Sequence, residues 1–129
     1  MSASILIVDD EPDIAELFRQ YFRRELRQGQ YVMHFAQSGE AALDILQQDV
    51  QPELLVILSD INMPGMDGLS LLREVKQRRA ELPVIMVTAY GDDDRRRKAD
   101  EYGAAEFVTK PVDFDLLKQQ LRRLLVLPG

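Results

Sequence analysis

Short runs of branched apolar residues, separated by stretches of helical periodicity, constrain this chain more than any other feature. Ser4 to Val8 (SILIV), Tyr31 to Ala36, Leu54 to Asp60 (LLVILSD), Pro83 to Thr88 (PVIMVT) and Ala105 to Thr109 (AEFVT) read as buried strands. Between them apolar residues recur every three or four positions. Ile14, Leu17, Phe18, Tyr21, Phe22 and Leu26 stripe a first helix after Pro12, with Arg19, Arg23 and Arg24 outside the stripe. Ala42, Ile45 and Leu46 mark a second, about Glu40 to Gln48, and Pro52 marks the loop that follows. Leu69, Leu72 and Val75 mark a third after Gly68. A fourth runs over Asp92 to Tyr102 and stops at Gly103. The last starts near Asp113 and carries Leu116, Leu117, Leu121, Leu124 and Leu125. Strands alternating strictly with helices require crossovers of one hand that cover both sheet faces. The expected fold is therefore α/β: a doubly wound parallel sheet of five strands sandwiched by five helices.

At 129 residues the chain is one domain, long enough to bury a core without disulfides or a structural metal. It has no cysteine, which excludes a thiol nucleophile and any zinc site built on thiolates. The N-terminus lacks a basic segment, its apolar run is too short for a signal peptide, and no run approaches membrane-spanning length. A soluble, cytoplasmic protein is expected. A net charge of −6, from 16 basic and 22 acidic residues, disfavours direct contact with nucleic acid.

The strand ends carry the chemistry. Asp9 and Asp10 follow the first strand, Asp60 ends the third, Thr88 ends the fourth, and Lys110 follows the fifth. In an open parallel sheet these ends border the crevice where ligands bind. Three carboxylates crowded there repel one another unless a cation joins them. An all-oxygen cluster suits a hard ion, and magnesium fits best. With the metal and a lysine neutralising charge, a carboxylate can act as nucleophile toward a phosphoryl group, and Thr88 can donate to a phosphoryl oxygen. Taken singly, each residue also has an ordinary reading: Asp60 or Asp10 as a turn or helix cap, Thr88 as a β-branched strand residue, Lys110 as a solvated surface lysine.

From ILIVDDEP through SDINMPGMDG and VIMVTAYG to FVTKP, essentially the whole chain resembles the receiver domain of two-component response regulators. The resemblance implies a CheY-like sheet order of 2-1-3-4-5. It also implies that Asp60 is the phosphoacceptor, Asp10 the direct magnesium ligand, and Asp9 the holder of a metal-bound water. Asn62 would give its backbone carbonyl to the metal, Thr88 and Lys110 would bind the phosphoryl group, and a cis peptide would join Lys110 to Pro111. Thr88 would be coupled to Phe107 as a switch between two packings. The implied partners are a histidine kinase or histidine phosphotransfer protein, with a homodimer through the fourth helix, fifth strand and last helix. The implied activity is self-phosphorylation and slow dephosphorylation of a signalling domain, not enzymatic turnover.

Departures from the family pattern matter. Phe107 stands where tyrosine is more usual, so the output rests on shape and apolar area. Asn62 and Tyr90 occupy places that tune the lifetime of the phosphorylated form, and Tyr90 is expected to cover the site partly. The fourth helix, DDDRRRKADEY, has only Ala99 and Tyr102 as clear apolar anchors. It reads either as a solvated helix laced by ion pairs or as a weakly anchored one that offers charge to a second copy, with Arg122 and Arg123 as partners. His34 reads as a partly exposed strand residue. A haloacid-dehalogenase-type phosphatase would need an aspartate where Asn62 stands. A flavodoxin-like cofactor module would need a phosphate-cradling loop where the acidic DDE stands. A phosphorylation-independent binding module of the same fold remains an alternative. No output domain is expected after the last helix, which leaves a free-standing regulator and an excised domain both open.

Overall fold

The computed structural model describes residues 3–48 and 53–125; Pro52 and the closing Leu127-Pro128-Gly129 lie outside them. Five parallel strands, β1 (Ala3–Val8), β2 (Tyr31–Ala36), β3 (Leu54–Asp60), β4 (Val84–Thr88) and β5 (Glu106–Thr109), form one sheet in the order β2-β1-β3-β4-β5. The strand order reverses between β1 and β3, so the crevice of a doubly wound sheet opens beyond Val8 and Asp60.

Among the described residues six helical elements cover the sheet, not five: α1 (Asp13–Tyr21), α2 (Arg23–Arg27), α3 (Gly39–Gln47), α4 (Gly68–Arg78), α5 (Asp93–Glu101) and α6 (Phe114–Leu124). The first predicted helix breaks at Phe22, whose backbone leaves the helical region at φ −104°, ψ 19°. Its ring is fully buried, stacked on Phe18 and edge-on to Tyr31 and Phe114. The aromatic packing holds the kink while bonds from Phe22 N–H to Phe18 O and Leu26 N–H to Phe22 O continue on either side.

Side-chain alternation along each strand divides the core in two. Ile5, Ile7, Val56, Leu58, Ile85 and Val87 meet Phe18, Phe22, Phe114, Leu117 and Leu121 on the α1 and α6 face. Leu6, Val8, Ile57, Val84 and Met86 meet Ala42, Leu71, Leu72, Val75 and Ala99 on the α3, α4 and α5 face. Leu116, expected in the apolar stripe of the last helix, is 45 % exposed, because it lies a quarter turn off the line through Leu117, Leu121 and Leu124. Leu17 and Tyr21 of α1 are also exposed.

Aspartate and serine caps fix where the helices near the crevice begin. Ser38 accepts from Ala41 N–H, Asp67 from Ser70 N–H and Asp113 from Leu116 N–H. Among the described residues no helix is long and apolar enough to cross a membrane.

Candidate functional site

Rigid strands deliver the acids to the crevice. Asp60, the last residue of β3, is 2 % exposed, and oxygens of Asp9, Asp10 and Asp60 all lie within 4.8 Å of one another. Neither Asp9 nor Asp10 caps α1; Asp9 Oδ1 instead accepts from Glu11 N–H at 2.9 Å, which folds the acidic loop back on the strand end. Burial pushes the Asp9 carboxyl above its usual range and the charge of Asp60 pushes the same way, although the Glu11 N–H and Lys110 oppose them.

Two donors fix the Asp60 carboxylate. Lys110 Nζ donates to Oδ2 at 2.8 Å and the Asn62 N–H donates to Oδ1 at 3.1 Å. Burial by itself would lower the Lys110 ammonium; the bond to Asp60 and the charges of Asp60, Asp9 and Glu11 outweigh it and raise the group. The peptide from Lys110 to Pro111 is cis, and Lys110 N–H donates to Thr88 O at 2.9 Å.

Gly68, which the sequence marks only as preceding the third predicted helix, is a site residue. A Cβ there would stand 2.3 Å from Asp60 O and 2.6 Å from Ile61 Cα, both backbone atoms, while the Gly68 N–H donates to Ile61 O at 2.8 Å. The start of α4 thus rests directly on the end of β3, an approach that only glycine permits.

Thr88 is buried at the end of β4. It shares a face with Met86, which lies beside Phe107 in the β4–β5 register. Arg96 of α5 stands 4.7 Å above the Phe107 ring, and Gln120 Nε2 of α6 donates to Phe107 O at 3.1 Å. Tyr90 is 92 % exposed and covers nothing in this conformation. In α5 only Ala99 is buried; the i,i+3 pair Arg97–Asp94 is exposed and Arg95–Asp92 is partly so, as in a largely solvated helix. Arg123 stands 3.8 Å from Glu106. His34 is half-buried on β2 beside Leu6.

The model of the response regulator receiver domain matches residues 5–122. The chain belongs to that family. Over 127 residues the receiver is 35 % identical to sporulation initiation phosphotransferase F of Bacillus subtilis, covering 98 % of this chain and 97 % of that one. It is 42 % identical over 109 residues to the DNA-binding transcriptional regulator NtrC of Klebsiella pneumoniae, covering 84 % of this chain but only 22 % of the relative. The receiver thus spans nearly all of one curated relative and less than a quarter of the other. Among solved structures it superimposes with a TM-score of 0.85 on a response regulator receiver domain protein from Clostridium thermocellum, at 27 % identity, covering 96 % of this chain and 94 % of that one. The receiver is a signalling domain of two-component response regulators.

Proposed function

We propose that Asp60 accepts a phosphoryl group from the phosphohistidine of a histidine kinase or phosphotransfer protein, and that the whole chain, 1–129, acts as one receiver. One observation carries this reading: a carboxylate 2 % exposed is held by two donors, Lys110 on one oxygen and the Asn62 N–H on the other. Transfer breaks the P–N bond of the donor, forms a P–O bond to Asp60 and leaves the imidazole to take up a proton. Lys110 holds charge beside the incoming group, and the Asn62 N–H fixes the carboxylate plane.

Asp9, Asp10 and Asp60 fit a hard divalent cation, being carboxylates with oxygens within 4.8 Å and no imidazole or thiolate among them. They would hold magnesium together with the Asn62 backbone carbonyl, and the ion when bound neutralises charge on the transferring group. Asn62 itself, lacking a carboxyl, supplies no acid or base for phosphatase turnover. Its exposed side chain, two positions after the acceptor, sets how water reaches the phosphoryl group.

Thr88 donates its hydroxyl to the phosphoryl oxygens, and the space it leaves lets the Phe107 ring turn inward. The output is then a changed surface of α5, β5 and α6, on which a second copy can dock. Kinase encounter implies a cytoplasmic location.

The test is intact-protein mass after incubation with acetyl phosphate, with and without magnesium, on wild type and Asp60→Ala. Gain of one phosphoryl group that requires both magnesium and Asp60 supports the reading. No gain in wild type, with magnesium shown to bind, favours a phosphorylation-independent binding module or a demand for the specific kinase, and no gain from a phosphohistidine protein either overturns the reading.

A further inference from the structure

A pocket of about 650 Å³ opens between α2 and α6, within the roughly 300–1,000 Å³ range of small-molecule sites. Arg23, Arg24 and Arg27 of α2 and Lys118 of α6 line it, against the single carboxylate of Glu25. Tyr21 aside, none of its lining residues borders the crevice around Asp60. The chain passes from α2 into β2, and Gln30 O there accepts from Ala3 N–H at 3.0 Å. The pocket therefore lies toward the sheet edge where the strands begin, opposite the edge at which Asp60 ends β3.

Glu25 is already engaged: its Oε2 stands 3.0 Å from Lys118 Nζ, and the two charges cancel. The arginines are left over. Elsewhere arginines find acids or rings: Arg78, Arg95, Arg97 and Arg123 stand beside carboxylates, and Arg73 and Arg96 lie over the rings of Tyr102 and Phe107. Among the described residues, the arginines that make neither an ion pair nor a ring contact are Arg23, Arg24, Arg27 and Arg122. Three of them line this one pocket, and Arg122 follows Lys118 by four positions, on the same side of α6. Arg23 and Arg27 are likewise four apart in α2, where like charges repel. A chain with 22 acidic and 16 basic residues thus gathers its uncompensated guanidinium groups in one place.

We propose that this pocket binds a compact oligophosphate, either a nucleoside triphosphate or a short inorganic polyphosphate. Guanidinium forks match phosphate oxygens, and several converging cations call for more negative charge than a single phosphate brings. The ligand is compact because an extended polyanion would also lie against the acidic remainder of a chain of net charge −6. Tyr21 stacks one face on Phe114 at 4.1 Å and is 53 % exposed, so its other face is open to a base.

The experiment titrates the full chain with tripolyphosphate, ATP, AMP and orthophosphate by calorimetry, with a chelator present so that no metal joins the anion to Asp9 and Asp10. Tripolyphosphate should bind at least about tenfold tighter than AMP or orthophosphate. Arg23→Gln and Arg27→Gln should each weaken it about tenfold, whereas Arg78→Gln, which removes an equal charge from α4, should change it less than about twofold. All three arginines are exposed and glutamine is a good helix former, so the variants keep the fold. In wild type the ligand should shift the amide resonances of residues 23–28 and Lys118 and leave that of Asn62 in place. ATP tighter than tripolyphosphate, with the gain lost in Tyr21→Leu, supports the proposal with a nucleoside as the source. ATP no tighter supports it with the phosphate chain alone as ligand. No binding at millimolar tripolyphosphate, equal binding of orthophosphate, Arg78→Gln as damaging as Arg23→Gln, or shifts centred on Asn62 overturns it.

Discussion

Lys110 Nζ lies 2.8 Å from Asp60 Oδ2, a contact between residues fifty apart in sequence, with the carboxylate 2 % and the lysine 38 % exposed. Removing the lysine strands a buried carboxylate with the Asn62 N–H as its donor. In the presence of a chelator, Lys110→Met should therefore cost about 1–3 kcal/mol, and Asp60→Asn combined with it should cost less than the sum of the single changes. Urea unfolding of the four proteins measures the coupling; strict additivity would show that the contact contributes nothing to stability.

Gly68 meets the end of β3 backbone to backbone, so no side chain can move aside for a Cβ. Gly68→Ala should destabilise by about 3 kcal/mol or more, or displace Asp60 from its donors. Unfolding free energy, together with the amide shift of Asn62, reports which occurs. A stable variant with an unmoved Asn62 amide would rule out the close approach.

Away from the crevice, Lys118 Nζ stands 3.0 Å from Glu25 Oε2, tying α6 to α2. Burial would raise the Glu25 carboxyl, but the bond and charge of Lys118, helped by Arg24, bring it below its usual 4.5. A carboxyl lowered in the folded state stabilises at pH above its unfolded value and loses that contribution as pH falls through the folded one. Stability should thus decline below about pH 4.5, and Glu25→Gln should remove part of that decline. Urea midpoints from pH 6 to pH 3 decide; parallel curves for wild type and variant would count against the pair.

Tyr90 stands in solvent. Its ring shields nothing in this conformation, so Tyr90→Ala should change the aspartyl-phosphate half-life by less than about twofold. Decay of the phosphorylated mass at neutral pH measures it. A larger change would mean that the ring folds over the site once the phosphoryl group is present.

The sequence by itself determined the alternation of strands and helices, because a branched apolar run has few other ways to hide its backbone and side chains together. It also determined which strand ends carry Asp9, Asp10, Asp60, Thr88 and Lys110, since each stands immediately beside a readable strand. What it could not determine rests on neighbours distant in the chain. The break at Phe22 follows from rings of Phe18, Tyr31 and Phe114 converging on one position, although the apolar stripe from Ile14 to Leu26 reads as continuous. The need for glycine at Gly68 follows from the approach of β3, and a glycine opening a helix is the single hint the sequence offered. The pocket between α2 and α6 is a space between elements, and periodicity records only which way residues face. Strand ends are local facts of the chain, whereas kinks, close approaches and cavities are set by packing across it.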